Sequence, residues 1–210
     1  MKKQNKVIIY QVMPRLFGNQ NKTCKVRGTL KENGVGKFAD FTSKVLREIR
    51  LLGCNYIWYT GVIEHATQTD YSKYGIEKDN VYVVKGAAGS PYAIKDYYDI
   101  APDLAVNVPD RMREFEDLVS RTHDAGLKVI IDFVPNHVAR RYHSDAKPDG
   151  VSDLGENDDT QVHFKPNNNF YYIPRQELSA QFYLGEGQNA YVEYPAKATG
   201  NDCFGAYPNR

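Results

Sequence analysis

Cysteine is scarce. The chain of 210 residues has 3, at Cys24, Cys54 and Cys203, far apart and without a CxxC pair. A disulfide framework or a cysteine-built zinc site is therefore not expected, and the three read as unrelated thiols. Charge of one sign is lacking too: 27 basic side chains face 26 acidic ones for a formal net charge of +1. That balance gives no support to a nucleic-acid partner. Long apolar runs are absent, and none approaches the roughly 20 residues of a membrane span. The opening MKKQNKVIIY has a basic flank but too short an apolar segment for a signal peptide. Localisation stays open among extracellular, periplasmic and cytoplasmic. No GxGxxG opens the first expected helix, so a dinucleotide site has no motif behind it. No repeat or low-complexity tract appears.

What is present suits one large domain, or one domain carrying a sizeable insertion. The 16 tyrosines offer planar amphipathic rings that suit sugar faces, interfaces and cores alike. Val7 to Met13, VIIYQVM, reads as a first strand stopped by Pro14. Arg15, Phe17 and Gly18 open a loop or short hairpin that runs to Gly36. Asp40 is placed to cap a helix reaching Leu52, with Phe41, Val45, Ile49 and Leu52 on its inner face. Gly53 ends that helix, and Asn55 to Tyr59, NYIWY, is a second strand. Strand, helix and strand in about fifty residues make a right-handed βαβ unit with parallel pairing.

Glu64 and His65 follow the second strand. The isolated His65 reads as a packing or supporting residue rather than a metal ligand. Val81 to Val84 is a short strand or a pin for a long loop. Next comes GSPYAIKDYYDIAPDLA, Gly89 to Ala105, where Asp96 and Asp99 alternate with Tyr92, Tyr97 and Tyr98. Aromatic faces with short carboxylates hold polar ligands with few freezing rotors; a packed irregular loop is the alternative. Pro109 and Asp110 begin a helix ending near Ala125, with Met112, Phe115, Val119 and Thr122 as its inner stripe.

Gly126 to His137, GLKVIIDFVPNH, is the organising stretch. Val129, Ile130 and Ile131 read as a strand buried on both faces. Asp132, Asn136 and His137 stand at its carboxyl end, where α/β folds place their chemistry. An ordinary strand end with a turn begun by Pro135 is the other reading. Beyond it the chain turns rich in Asp, Asn, Gly, Tyr and Pro, with short candidate strands at Phe170–Ile173 and Ala190–Tyr194. More than seventy residues is too long for an ordinary βα loop, so an inserted irregular or β subdomain is expected. Its carboxylates, Asp145 to Asp159, read as a solvated acidic loop whose spacing does not match an EF-hand. The order β-α-β-loop-α-β begins both a TIM barrel and an open doubly wound sheet.

Three ordered stretches resemble the α-amylase family, glycoside hydrolase family 13: VIIYQVMPRLF, YAIKDYYDI (Tyr92 to Ile100) and DFVPNH (Asp132 to His137). The resemblance covers most of residues 7 to 137. It implies an α/β fold, the N-terminal portion of a (β/α)8 barrel of about three strands in residues 1–137. A B domain inserted after the third strand would then occupy residues 138–210. By the same resemblance, His137 hydrogen-bonds the sugar on the non-reducing side of the cleaved bond and Tyr92 stacks under that ring. Asp132 supports the site without being the nucleophile. Asn136 is similar to a ligand of the calcium that ties the B domain to the barrel, with Asp202 as a further ligand. Without more oxygen ligands that site stays metal-free. No organic cofactor is implied. Ala93 departs from relatives that carry an aspartate there, which leans toward longer α-glucans.

The implied activity is retaining cleavage of α-1,4-glucosidic bonds in starch-like glucans. The alternatives are a transglycosylase or sugar isomerase of the same family, and a non-catalytic binding or transporter-associated module. The family's nucleophile, acid/base and stabilising carboxylates follow later strands than this chain supplies. The catalytic pair therefore cannot be assigned here. The chain is expected to be part of a longer enzyme and to need the rest of the barrel in cis.

Overall fold

In the computed structural model, residues 6–180 and 189–198 are described. Strand β1 (Ile9–Val12) is followed by the single helical turn α1 (Leu30–Asn33) and helix α2 (Ser43–Leu51). Then come β2 (Tyr56–Tyr59), β3 (Ile63–His65), β4 (Ile94–Ile100), helix α3 (Arg111–Asp124) and β5 (Lys128–Ile131). Four short strands end the described chain: β6 (Tyr172–Ile173), β7 (Leu178–Ala180), β8 (Tyr191–Glu193) and β9 (Ala196–Lys197).

The main sheet is parallel with the order β1-β2-β5, and Ile9, Tyr56 and Lys128 stand in one register row. A doubly wound sheet would place the first strand between the other two. Sequential order instead starts a (β/α)8 barrel, as the resemblance implied. No described helix is long and apolar enough to cross a membrane.

The helices hold to this sheet through one buried cluster. Phe41 stacks on Phe17 at 4.4 Å between ring centroids and meets Tyr59 edge-on at 5.0 Å. Leu46, Ile57, Leu104, Leu118 and Leu127 close around them. Buried Tyr59 keeps its hydroxyl satisfied by Thr122 Oγ1 at 2.7 Å, and Thr122 in turn donates to the Leu118 carbonyl. Burial pushes the Tyr59 phenol up to about 12.

Several local expectations are corrected. Thr42, not Asp40, caps α2, accepting from the Val45 N–H at 3.3 Å; Asp40 serves a short 3-10 turn ahead of it. The inner face of α2 is Leu46 and Ile49, whereas Leu52 is 71% exposed. The helix starts two residues later and ends one residue earlier than its apolar spacing suggests, and Leu51 and Leu52 at its end point outward. In α3 the buried positions are Leu118 and Thr122, while Met112 is exposed. Of the two readings of Val81 to Val84, the loop pin holds: Val81–Val83 is a 3-10 turn whose Tyr82 and Val83 pack on a second core.

The largest difference is β4. YAIKDYYDI, expected as a loop, contains a strand pairing antiparallel with β3. Its pattern of buried positions does not alternate, because both faces are covered over most of its length. Beyond His137, β6 pairs with β9 and β7 with β8, both antiparallel. Ile173, Leu178, Ala180, Tyr191 and Ala196 form a second, separate buried cluster. The inserted subdomain is thus a small β structure with its own core. Tyr82 and Val83, from the loop between β3 and β4, pack against it.

We predict that Leu46→Ala lowers unfolding free energy by about 2–5 kcal/mol in urea titration, while Leu52→Ala shifts it by less than about 0.5 kcal/mol. Equal losses would restore the longer amphipathic stripe read from the sequence.

Candidate functional site

Two neighbouring regions at the carboxyl ends of the parallel strands carry the polar groups of interest. In the first, Asp132 follows β5 and joins it to β2. Its Oδ1 accepts from Trp58 Nε1 at 2.5 Å and its Oδ2 from the Gly61 N–H at 2.8 Å. Each carboxylate oxygen is thus fixed by one protein donor. Gly61 has φ +75° and a Cβ there would lie 2.5 Å from the Pro91 side chain, so this turn requires glycine.

Beyond Asp132 the chain is exposed. Phe133 is 71% exposed and Asn136 and His137 also face solvent, with the Asn136 amide nitrogen 3.3 Å from His137 Nδ1. Tyr92, half-exposed, precedes β4. The Ala139 N–H donates to the Ile94 carbonyl at 2.7 Å. This bond lays the chain two residues past His137 against the chain two residues past Tyr92. The Tyr97 hydroxyl donates to the Val134 carbonyl, and its ring lies 5.6 Å from Phe133. Tyr92, Phe133 and His137 are thus exposed residues on the two segments that these contacts hold together. Asp202 lies outside the described residues, as does Cys203.

The second region is buried. The register between β3 and β4 shifts on both sides of Glu64, which is opposite Asp96. Asp99 lies further along β4, and Asp145 arrives from the segment after β5. One carboxylate oxygen from each of these four residues lies within 4.8 Å of all the others. Asp96 Oδ2 accepts from the Asp145 and Ala146 N–H groups at 3.1 and 3.3 Å, and Oδ1 from Tyr98 N–H at 2.7 Å. Arg111, at the start of α3, places Nε 2.7 Å from Asp99 Oδ2 and Nη2 3.1 Å from Asp145 Oδ2. Asp145 is exposed, as expected of an acidic loop, and its backbone bond to Asp96 brings its carboxylate to the rim of this cluster.

Glu64 is the exception. It is 1% exposed, and neither oxygen has a hydrogen-bond partner. Desolvation first, then the negative charges of Asp145 and Asp99, push its carboxyl up to about 9. Lys95 is also buried but is committed elsewhere, to Asp79 at 3.2 Å and to the Glu77 carbonyl. Such a group of hard oxygen donors can coordinate a divalent cation. Among the described residues it is the one convergent group of three or more His, Cys, Asp or Glu side chains, and it does not include Asn136. A lone carboxylate inside VIEHA was the sequence signal for Glu64. Nothing local signalled Asp145, 49 residues from Asp96.

His65 points away from this cluster chemically. Its Nε2 meets the Arg15 guanidinium, which also donates to the carbonyls of Ala88 at 2.9 Å and Gly89 at 3.2 Å. Burial, then the Arg15 charge, lower the pKa of the imidazole and keep it neutral. It packs and supports, as its sequence context suggested. Gly89 lies so close to the Ala66 carbonyl that a Cβ would be 1.7 Å from that oxygen.

Residues 11–180 match the family model described as alpha amylase, catalytic domain. Among curated relatives, the amino acid transporter heavy chain SLC3A1 of Mus musculus is 29% identical over 134 residues, 64% of this chain and 14% of that protein. The alpha-glucosidase of Pediococcus pentosaceus is 28% identical over 132 residues, 63% of this chain and 17% of that protein. The chain thus spans under a fifth of the length of either relative. The crystal structure of an alpha-amylase from Lactobacillus plantarum is similar with TM-score 0.44 and 27% identity, covering 64% of this chain and 24% of that one.

Glu64 predicts a pH dependence. A carboxyl at about 9 when folded, against 4.5 in its ordinary state, binds more protons folded than unfolded between those values. Its contribution is therefore intact below about pH 4.5 and lost as pH rises toward 9. With chelator present, Glu64→Gln is expected to raise the melting midpoint at pH 8 relative to wild type by about 2 °C or more, and by less at pH 5. Calorimetric scans at both pH values check this; equal differences at the two would refute the buried-acid assignment.

Proposed function

The chain belongs to the alpha-amylase catalytic-domain family, and from that premise we propose that the whole protein cleaves α-1,4-glucosidic bonds in starch-like glucans with retention. The observation that carries the reading is the match over residues 11–180 together with DFVPNH emerging at the carboxyl end of the third parallel strand. Residues 1–137 are proposed as the first part of the barrel and 138–210 as the B domain.

The proposed division of labour follows from exposure. His137 is free to donate to a sugar hydroxyl, and the half-exposed Tyr92 offers a ring face for stacking. Asp132 is proposed to support the site, its two oxygens oriented by Trp58 and Gly61. Asn136 and Asp202 remain the proposed ligands of a calcium ion between barrel and B domain. The buried carboxylates are not offered as the catalytic pair. Retaining hydrolysis needs two carboxyl groups about 5–5.5 Å apart across an accessible bond. Glu64, Asp96 and Asp99 are buried and have no surface for a glycosidic oxygen. The nucleophile and the acid/base are proposed to come from later strands of the barrel.

A second reading has a specific observation behind it. The similarity to a transporter heavy chain over 64% of this chain fits a barrel that binds or assembles without catalysis. Transglycosylation or isomerisation at the same site differs from hydrolysis only in what accepts the glycosyl group.

The test compares the 210-residue chain with the full gene product that carries it, on soluble starch and maltoheptaose. The full product is expected to release α-configured sugars, and His137→Ala to lower its kcat/KM by about tenfold or more, a loss of about 1.4 kcal/mol. The chain alone is expected to turn over negligibly. A full product without turnover that still retains sugar or partner binding would favour the non-catalytic module. Products mostly longer than the substrate would favour transfer. Chain turnover equal to that of the full product, and lost in His137→Ala, would mean that the catalytic carboxylates have been misplaced.

A further inference from the structure

We propose that Glu64, Asp96, Asp99 and Asp145 form a binding site for one calcium-sized divalent cation that ties the β3–β4 hairpin to the segment following β5. This site is separate from Asn136, and its argument does not rest on the hydrolase reading.

The geometry supports an ion first. The four donor oxygens lie within 4.8 Å of one another. Oxygens on opposite sides of a calcium ion, each at about 2.3–2.6 Å from it, are separated by roughly 4.6–5.2 Å, so one ion can touch all four. All four donors are carboxylate oxygens, with no imidazole or thiolate among them. That set selects hard cations over zinc or copper. The donors come from a bulged hairpin and a distant segment without a regular frame. Calcium tolerates irregular angles, whereas magnesium demands near-octahedral ones.

Glu64 supplies the independent observation. A carboxyl group that is 1% exposed, reached by no donor at either oxygen, is costly to keep in a folded protein. Its neighbours are all accounted for by other groups. Asp96 is held by three backbone N–H groups, and Asp99 by Arg111 and the Ile100 N–H. Arg111 also reaches Asp145. Arg111 is committed to Asp99 and Asp145, and Lys95 to Asp79 and the Glu77 carbonyl, so among the described residues no donor reaches either Glu64 oxygen. A cation seated between Glu64 and the other three satisfies its lone pairs. The hydrogen bonds already made do not prevent this, since each carboxylate oxygen has two lone-pair directions. The ion would bridge residues from positions 64 to 145, closing a loop of about eighty residues.

The experiment uses the full gene product that carries this chain, with Asn136→Ala to remove the other proposed calcium ligand, stripped with EDTA and titrated with calcium chloride by isothermal calorimetry, with melting curves in parallel. One ion per chain is expected to bind with a dissociation constant below about 1 mM and to raise the melting midpoint by several degrees, on the order of 5 °C. Glu64→Gln and, separately, Asp145→Asn are each expected to weaken binding by about tenfold or more. Glu116→Gln, an exposed carboxylate on α3, is expected to bind as wild type does. Should Glu64→Gln fail to fold, the partly exposed Asp145→Asn decides the matter. The proposal is overturned if calcium produces neither heat nor a melting shift. Binding left unchanged in both cluster variants, or weakened equally in Glu116→Gln, overturns it as well.

Discussion

Two like charges 4 Å apart repel by about 4 kcal/mol at an effective dielectric of 20, so four carboxylates within 4.8 Å of each other cannot be left to themselves. Three elements are organised around meeting that demand. Helix α3 begins with Arg111, whose guanidinium reaches Asp99 and Asp145. The segment after β5 turns its Asp145 and Ala146 N–H groups onto Asp96. The β3–β4 hairpin bulges around Glu64 to place that side chain inside. Replacing Arg111 would leave Asp99 buried and unpaired, and such a loss typically costs about 3–5 kcal/mol. The same contacts decide where the chain can go after the third parallel strand, and so where His137 stands.

The barrel elements were legible because they follow local rules. VIIYQVM, NYIWY and KVII are β-branched and aromatic runs bounded by Pro, Gly or polar residues, and they form β1, β2 and β5. Both long helices were found by their apolar spacing, and the errors fell at their ends. Thr42 and Asp40 are each good caps; the choice between them rests on the 3-10 turn of Phe38–Asp40, which is set by packing of Phe38 and not by sequence pattern. Leu52 was placed inside because helical spacing continues whether or not the helix does.

β4 and the acidic cluster were not legible, for a shared reason. A strand covered on both faces shows no alternation, and Lys95, Asp96 and Asp99 in its middle argue against a core position. They are tolerated only because partners arrive from far along the chain: Asp79 for Lys95, Arg111 for Asp99, and the Asp145 backbone for Asp96. Sequence reasoning weighs each residue against its neighbours, while these pairings span 12 to 49 residues. The residues at the carboxyl end of β5 were found by motif, and the structure adds how Asp132 is held, through Trp58 and Gly61.

The inserted subdomain meets the barrel loops by the same kind of chemistry. Lys95 and Asp79 on one side, and Arg140, Lys197 and Glu193 on the other, line a shared cavity of about 410 Å³. Arg140 pairs with Glu193 at 2.8 Å and donates to the Lys197 carbonyl at 2.6 Å, tying the chain just past His137 to β8 and β9. Burial lowers the Lys197 pKa, against which Glu193 acts. Tyr82 and Val83 pack on the small core from the barrel side. A junction built from ion pairs and backbone hydrogen bonds fixes orientation more than it adds stability, because each charge gives up hydration to join it. Arg140 at this junction and Asp145 at the carboxylate cluster both follow His137 in the chain, so charge and backbone contacts anchor the segment that leaves it, while Tyr97 anchors the residues that precede it through Phe133 and the Val134 carbonyl.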